Sequence, residues 1–211
     1  MIRPIILCKA PVVAKVKTRL TPQLTDQQAC EVHRLMASYF IHKVSAYYPQ
    51  AWLAVDDLSH PFFQQFHLKL VAQGFGCLGD KIQRLMHQNI QSGMQASLFL
   101  GTDSPHLSTA RLKAAHLVLQ NKDVVVAPVE DGGYQMIAVK GDQPALFHGI
   151  SWGSDQVMAQ SLERIVELGL SVNILSTSFD VDRFEDLIRL LQRSHSFKFW
   201  SHHTGVISKL C

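Results

Sequence analysis

The chain has 211 residues, of which 47% are hydrophobic, and a formal net charge of +3 at pH 7. This length and apolar content suit one large core, and the basic residues form no long tracts, which argues against a nucleic-acid partner and favours a small-molecule one. No apolar stretch reaches the roughly 20 residues of a membrane span, and the apolar run at the N-terminus is too short for a secretory signal, so we expect a cytoplasmic protein.

Short apolar runs rich in strand-forming residues alternate with helical patterns along the chain. The runs predict strands over residues 5–8, 51–55, 69–72, 97–100, 124–127 and 171–175, with an extra strand over 134–139. Helices are predicted over residues 25–47, where Thr25 and Gln28 form a capping-box pattern, and over 80–91, 108–120, 154–168 and 183–193. The alternation is typical of a doubly wound α/β fold with a mainly parallel sheet.

Two irregular segments, residues 9–24 and 129–152, interrupt this alternation, and segments of that length are often functional. The first carries Lys9, Lys15, Lys17 and Arg19 directly after the first predicted strand. Loops after parallel strands meet at the sheet edge where α/β proteins bind ligands, and cations there suit phosphate oxygens. The loop lacks the glycine pattern of known phosphate-binding loops, so side chains would have to make the contacts. A solvated basic loop is the alternative.

Three acidic segments follow other predicted strands. Asp103, in Gly-Thr-Asp-Ser-Pro after an apolar strand, is suited to bind a hard divalent cation, and a plain turn is the alternative. Asp131 is followed by two glycines that permit close approach of a ligand, and a hairpin-like turn is the alternative. Asp180 and Asp182 lie at alternate positions, although Asp182 could instead cap the helix that follows, which leaves Asp180 without a role.

Five segments, taken together and in order, carry a family resemblance: KAPVVAKVKTRL at 9–20, GTDSPHL at 101–107, DGGY at 131–134, ISWGSDQV at 150–157 and DVDRFEDL at 180–187. The chain resembles the DUF2064 group of glycosyltransferase-A-type (GT-A) proteins, distantly similar to molybdenum-cofactor guanylyltransferases and other members of the nucleotide-diphospho-sugar transferase superfamily. The resemblance implies a single Rossmann-like GT-A domain over residues 1–194, with helices on both faces of the sheet. The tail, residues 195–211, has no predicted structure.

The resemblance also implies which residues bind the nucleotide and a divalent cation, Mg²⁺ or Mn²⁺. The nucleotide and its phosphates are predicted to contact Lys9, Lys17, Arg19, Thr102, Gly132 and Gly133. Asp103 matches the metal-binding aspartate of the superfamily, and Asp182 lies in a region that supplies a second metal ligand in related nucleotidyltransferases. Asp131 is our candidate catalytic base for the acceptor, and Gly132 and Gly133 would face the acceptor or the transferred group.

Two positions depart from the family pattern: Ala14 stands where glycine is usual, and Cys77 stands where aspartate is usual. We therefore keep three functional hypotheses. The first is a metal-dependent glycosyltransferase that uses a nucleotide-sugar donor and an unidentified small-molecule acceptor. The second is a nucleotidyltransferase that joins an NTP to a phosphorylated acceptor and releases pyrophosphate. The third is a nucleotide-binding protein that has lost catalysis.

Overall fold

A computed structural model describes residues 1–198 of the chain, which build one seven-stranded sheet. The strands are β1 (Ile2–Cys8), β2 (Trp52–Val55), β3 (Lys69–Ala72), β4 (Ala96–Gly101), β5 (Val124–Pro128), β6 (Tyr134–Lys140) and β7 (Val172–Ile174). The helices are α1 (Asp26–Tyr47), α2 (Pro61–Gln64), α3 (Leu78–Gln91), α4 (Thr109–Val118), α5 (Val157–Glu167) and α6 (Phe184–Arg193). Of the C-terminal tail, residues 199–211 lie outside the described part.

The strand order in the sheet is β3-β2-β1-β4-β6-β5-β7. Only β6 among these strands runs antiparallel, between β4 and β5, so the predicted mainly parallel α/β sheet is confirmed. Because β6 is reversed, its first residues lie at the same edge as the carboxyl ends of β1, β2, β3 and β4. Loops that follow four strands and the start of a fifth therefore meet at one edge, where open α/β sheets bind ligands.

Two apolar clusters cover the two faces of the sheet, as predicted for helices on both faces. One cluster packs α1, α2 and α4 on the sheet, with Phe40 and Phe63 fully buried. The other packs α3 and α5 on the opposite face through Leu85 and Ile165. Helix α1 begins at the predicted capping box, in which the Gln28 amide donates to Thr25 Oγ1 and the Thr25 amide donates to Gln28 Oε1.

Most predicted elements are present, with differences at their ends. Strand β1 begins at Ile2, before Pro4, which interrupts the apolar pattern. The proline is tolerated because residues 2–4 pair with β4 alone, and pairing with β2 starts at Ile5. Helix α5 begins at Val157 and not at residue 154, because residues 151–156 form turns that pack against the glycine segment after β5. The short helix α2 has no counterpart in the predicted elements. No helix within residues 1–198 is long and apolar enough to cross a bilayer.

Candidate functional site

A cavity of about 640 Å³ opens at the edge where the strand ends meet. Its lining comes from the loop after β1, the residues after β3 and β4, the start of β6, the first turns of α3 and the segment before α6. Within residues 1–198, two carboxylates line it, Asp103 and Asp182, against five cationic side chains: Lys9, Lys15, Lys17, Arg19 and Lys81. This excess of positive charge is suited to an anionic ligand such as a polyphosphate.

Lys17 links the two carboxylates that the sequence predicted as metal ligands. Its Nζ lies 2.8 Å from Asp103 Oδ1 and 2.9 Å from Asp182 Oδ1, and its side chain is only 5% exposed. Arg19 Nη1 lies 3.3 Å from the other oxygen of Asp182, Oδ2. The carboxylates therefore converge on a single cation, and that cation is part of the protein.

The pKa values of Lys17 and Asp103 reflect this pairing. Burial by itself would lower the pKa of Lys17, but the charges of Asp103 and Asp182 outweigh burial and raise it above the usual lysine value. Burial would likewise raise the pKa of Asp103, but the Lys17 ammonium holds it below the ordinary range of a carboxyl. Both groups are therefore charged at neutral pH.

The loop that carries Lys17 contains two non-glycine residues in the left-handed region. Ala14 has φ 61° and Lys17 has φ 49°, a conformation that costs roughly 1–2 kcal/mol per residue other than glycine. Glycine at position 14 would remove that strain, which explains why the family resemblance places glycine there. The alanine nevertheless adopts the left-handed conformation, and the residues that follow it, Lys15 to Arg19, line the cavity. Strain of this kind clusters at ligand sites.

Asp182 reaches the cavity because the segment before α6 docks beside Asp103. The Val181 amide donates to the Asp103 carbonyl at 2.9 Å, and Ser104 Oγ donates to the Phe179 carbonyl at 3.0 Å. Asp182 does not cap α6, which was the alternative that the sequence left open. Instead Asp186, in the first turn of α6, accepts hydrogen bonds from the backbone amides of Asp182 and Arg183, which leaves the Asp182 side chain for Lys17 and Arg19.

Asp180, which the sequence left without a role, is hydrogen-bonded to the Ser104 hydroxyl. Burial and the nearby charge of Asp103 raise the pKa of Asp180 to about 7. Between about pH 4 and 7 the native state therefore keeps a proton that the unfolded chain releases. Because the native state binds more protons in this window, the free energy of unfolding falls as the pH rises through it.

We expect the Asp180→Asn variant to lose this part of the pH dependence. Urea denaturation of the metal-free protein between about pH 4.5 and 7.5 measures it, with the wild-type chain as reference. The wild type should lose stability with rising pH relative to the variant. Parallel profiles for the two proteins would contradict the raised pKa.

The segment from Asp131 to Gly133 forms a turn, which was the alternative to a ligand-binding segment in the sequence. None of its three residues lines the cavity. Asp131 is exposed, and its Oδ1 accepts a hydrogen bond of 3.0 Å from the Gly133 amide. Gly132 has φ 88°, and a Cβ there would lie 2.1 Å from the Asp155 carbonyl oxygen. The close approach at Gly132 is thus made by the protein's own chain.

We expect Gly132→Ala to destabilise the protein by roughly 3–5 kcal/mol, since it combines a positive φ with a backbone clash. Gly93 is the matched control: it has φ 89°, but a Cβ there would meet nothing within 4 Å. Gly93→Ala should therefore cost only about 1–2 kcal/mol. Chemical denaturation of both variants measures the difference, and equal losses would contradict the contact with the 151–156 segment.

Four further cavity residues were missed by the sequence analysis: His33, Gln73, Lys81 and Gln135. Gln73 directly follows β3, and its Nε2 donates to the carbonyls of Cys8 and Ala54, so it ties three strand ends together. His33, on α1, contacts the Lys9 carbonyl through Nε2 at 2.9 Å. Of these four residues, Gln73 alone could have been predicted as a site residue, because it directly follows a strand. His33 and Lys81 lie inside helices and Gln135 inside a strand.

The fold matches those of several solved structures. One is a protein of Desulfovibrio desulfuricans G20 provisionally assigned as a nucleotide-diphospho-sugar transferase, with TM-score 0.86 and 23% identity over 99% of this chain and 97% of that one. A second is a 4-diphosphocytidyl-2C-methyl-D-erythritol synthase of Anaerococcus prevotii DSM 20548, with TM-score 0.59 and 12% identity over 92% and 96%. A third is a CMP:2-keto-3-deoxy-manno-octonic acid synthetase complexed with CTP, with TM-score 0.58 and 12% identity over 90% and 96%.

The predicted Rossmann-like fold of the nucleotide-diphospho-sugar transferases is thereby confirmed. No curated protein sequence matches the chain. A family model described as "Uncharacterized protein conserved in bacteria (DUF2064)" matches residues 41–154, more than half of the chain. The chain therefore belongs to the DUF2064 family.

Proposed function

We propose that the protein is a metal-dependent transferase that uses a nucleotide-activated donor, with a nucleotide sugar as the preferred candidate. The observation that carries this proposal is the convergence of Asp103 and Asp182 on one cation inside a cavity rich in positive charge. The fold supports it, because solved structures of the same fold include a protein provisionally assigned as a nucleotide-diphospho-sugar transferase and a synthetase in complex with CTP.

The donor set fits a divalent cation such as Mg²⁺ or Mn²⁺. Carboxylate oxygens are the hard ligands these ions prefer, and Asp103 and Asp182 already direct one oxygen each toward a shared point. No cluster of three or more His, Cys, Asp or Glu side chains in residues 1–198 is arranged to hold a metal. Two carboxylates are nevertheless typical of ions that take their remaining ligands from nucleotide phosphates and water. When bound, such an ion supplies a Lewis acid for the leaving phosphate.

The remaining side chains would bind and orient the donor. Lys9 and Arg19 lie at the mouth formed by the loop after β1, where exposed cations can contact phosphate oxygens, and Thr102 lies next to Asp103 in the lining. In the proposal Lys17 neutralises Asp103 and Asp182 when no ligand is bound and contacts phosphate when one is.

Asp131 remains our candidate base for the acceptor. It is exposed and outside the cavity lining, but its charge lies close enough to Asp180 to raise the pKa of that residue. The predicted contacts of Gly132 and Gly133 with the donor would have to come through their backbone, at the rim.

The second candidate function is nucleotidyl transfer. It is favoured by the fold shared with a CMP:2-keto-3-deoxy-manno-octonic acid synthetase and a 4-diphosphocytidyl-2C-methyl-D-erythritol synthase. A binding protein without catalysis is less well supported, since Ala14 adopts the left-handed conformation of a glycine and leaves the loop intact. Cys77 precedes the first residue of α3 and is exposed, and Asp80 accepts a hydrogen bond from its amide at 2.8 Å.

Product analysis separates the candidates. The protein with Mn²⁺ or Mg²⁺ would be given nucleotide sugars together with a mixture of small-molecule acceptors, and separately NTPs together with sugar 1-phosphates. Release of a nucleoside diphosphate supports glycosyl transfer, and release of pyrophosphate supports nucleotidyl transfer. A rise in melting temperature with nucleotide but without turnover supports the binding protein. If no nucleotide binds, with metal or without, the proposal is wrong.

A further inference from the structure

Gln135, the second residue of β6, is a cavity residue whose side-chain amide has no partner in the protein. The residue is 1% exposed, and neither Oε1 nor Nε2 has a hydrogen bond to any group within residues 1–198. Buried polar side chains are nearly always hydrogen-bonded, because leaving a buried donor or acceptor unpaired is unfavourable. Gln135 also lines the cavity, so a ligand bound there is the candidate partner for the unpaired amide.

The other buried amides of the described chain show the contrast. Gln73 Nε2 donates to the carbonyls of Cys8 and Ala54. Asn89 Nδ2 donates to the Ala96 carbonyl and to Ser97 Oγ, and its oxygen accepts from Arg3. Both are thus satisfied within the fold. Gln135 is equally buried and lines the cavity, but its side chain makes no hydrogen bond within the fold.

The position of Gln135 places it at one end of the site. Along the sheet edge, the basic loop follows β1, Asp103 follows β4, and Gln135 lies in the next strand, β6. Met136 pairs with Leu100, so Gln135 lies level with the end of β4, where the segment to Asp103 begins. The lining of the same cavity includes apolar and aromatic side chains, namely Leu7, Ile82, Phe99, Tyr134, Ile137 and Trp152.

A ligand whose phosphates lie at the basic loop and at Asp103 therefore extends its next group toward β6. A carboxamide offers two N–H donors and one acceptor oxygen side by side. A sugar ring matches it, because each hydroxyl both donates and accepts, and its C–H faces can pack on an apolar wall. We propose that Gln135 binds hydroxyl groups of the sugar in a nucleotide-sugar donor and thereby selects the sugar. This assignment rests on the proposed function.

The binding test uses the full-length protein with Mn²⁺ and two matched ligand pairs, UDP with UDP-glucose and GDP with GDP-mannose. Isothermal titration calorimetry gives four dissociation constants for the wild type and four for Gln135→Leu. For the pair that binds, we expect the variant to bind the sugar form about 10- to 100-fold more weakly and to bind the diphosphate within about 3-fold of wild type. Equal loss for both members would mean that Gln135 contacts the nucleotide, and no loss would mean that it contacts neither. Each result overturns the assignment.

A second readout needs no ligand. Since the Gln135 amide is unpaired, Gln135→Leu should raise the melting temperature of the free protein by a few degrees, roughly 2–4 °C. Gln73→Leu, which removes a paired buried amide, should lower it. A fall with Gln135→Leu would show that the amide has partners within the protein and would overturn the assignment whatever the binding data. If wild type binds none of the four ligands and no other nucleotide, the proposed function fails together with the sugar assignment. Unchanged sugar preference in the variant overturns only the role of Gln135.

Discussion

Replacing Asp103 by asparagine is expected to lower kcat/KM for the transfer reaction by about 1,000-fold. The carboxylate is one of only two that line the cavity within residues 1–198, and both converge on the same cation. Asparagine keeps the size and one oxygen but removes the negative charge that a divalent ion requires. The same variant should lose the metal-dependent part of nucleotide affinity, measured by titration with and without Mn²⁺.

The matched control for this variant is Asp142→Asn. Asp142 follows β6, the reversed strand, so it lies at the opposite edge of the sheet, where it pairs with His87 at 2.7 Å. Its replacement removes the same charge from the chain but none from the cavity, and activity should stay within about 2-fold of wild type. If Asp103→Asn retains both activity and metal-dependent binding, Asp103 is not a metal ligand.

Replacing Lys17 by methionine is expected to destabilise the protein at neutral pH by roughly 1–3 kcal/mol. Removing one partner of a fully buried ion pair costs about 3–5 kcal/mol, and the partial exposure of the carboxylates reduces this. Asp103 and Asp182 are 46% and 33% exposed, respectively. Without the ammonium the carboxylates repel each other. Chemical denaturation measures the loss, and Lys15→Met, on the exposed lysine of the same loop, should change stability by less than about 0.5 kcal/mol.

The Lys17 variant also has a predicted pH dependence. The depressed pKa of Asp103 means that its pairing stabilises the wild type above the unfolded-state pKa of about 3.9, and that this stabilisation is lost as the pH falls through the native pKa. The difference in stability between wild type and Lys17→Met should therefore shrink in acid.

Mn²⁺ should raise the melting temperature of the variant more than that of wild type, because the ion takes the place of the missing ammonium. A variant as stable as wild type would contradict the bridging role.

The sequence predicted the sheet edge as the site because Asp103 follows an apolar strand and the loops after parallel strands meet at that edge. It predicted Lys17 as a phosphate contact from the basic loop together with the family resemblance. The bridge from Lys17 to Asp182 joins residues 165 positions apart, and no local pattern contains such a pairing. Long-range contacts of this kind depend on how the segment before α6 docks.

Gln135 and Asp182 were difficult for different reasons. Gln135 begins a run of buried residues in β6. From sequence alone, a buried polar residue at the start of a strand cannot be told from one that faces solvent. Asp182 was open to a second interpretation as a helix cap. The residue that accepts the capping hydrogen bonds is Asp186, three residues after Arg183, and that spacing is the sequence signal of a capping box.

A crystal structure of the protein grown with Mn²⁺ and a nucleotide, with the manganese located by its anomalous scattering, tests whether Asp103 and Asp182 hold the metal. We expect one manganese peak within coordination distance of Asp103 and Asp182, with the nucleotide phosphates between that ion and the loop carrying Lys9, Lys15 and Arg19. A nucleotide bound outside this cavity, or a manganese ion without contact to Asp103, would contradict this expectation.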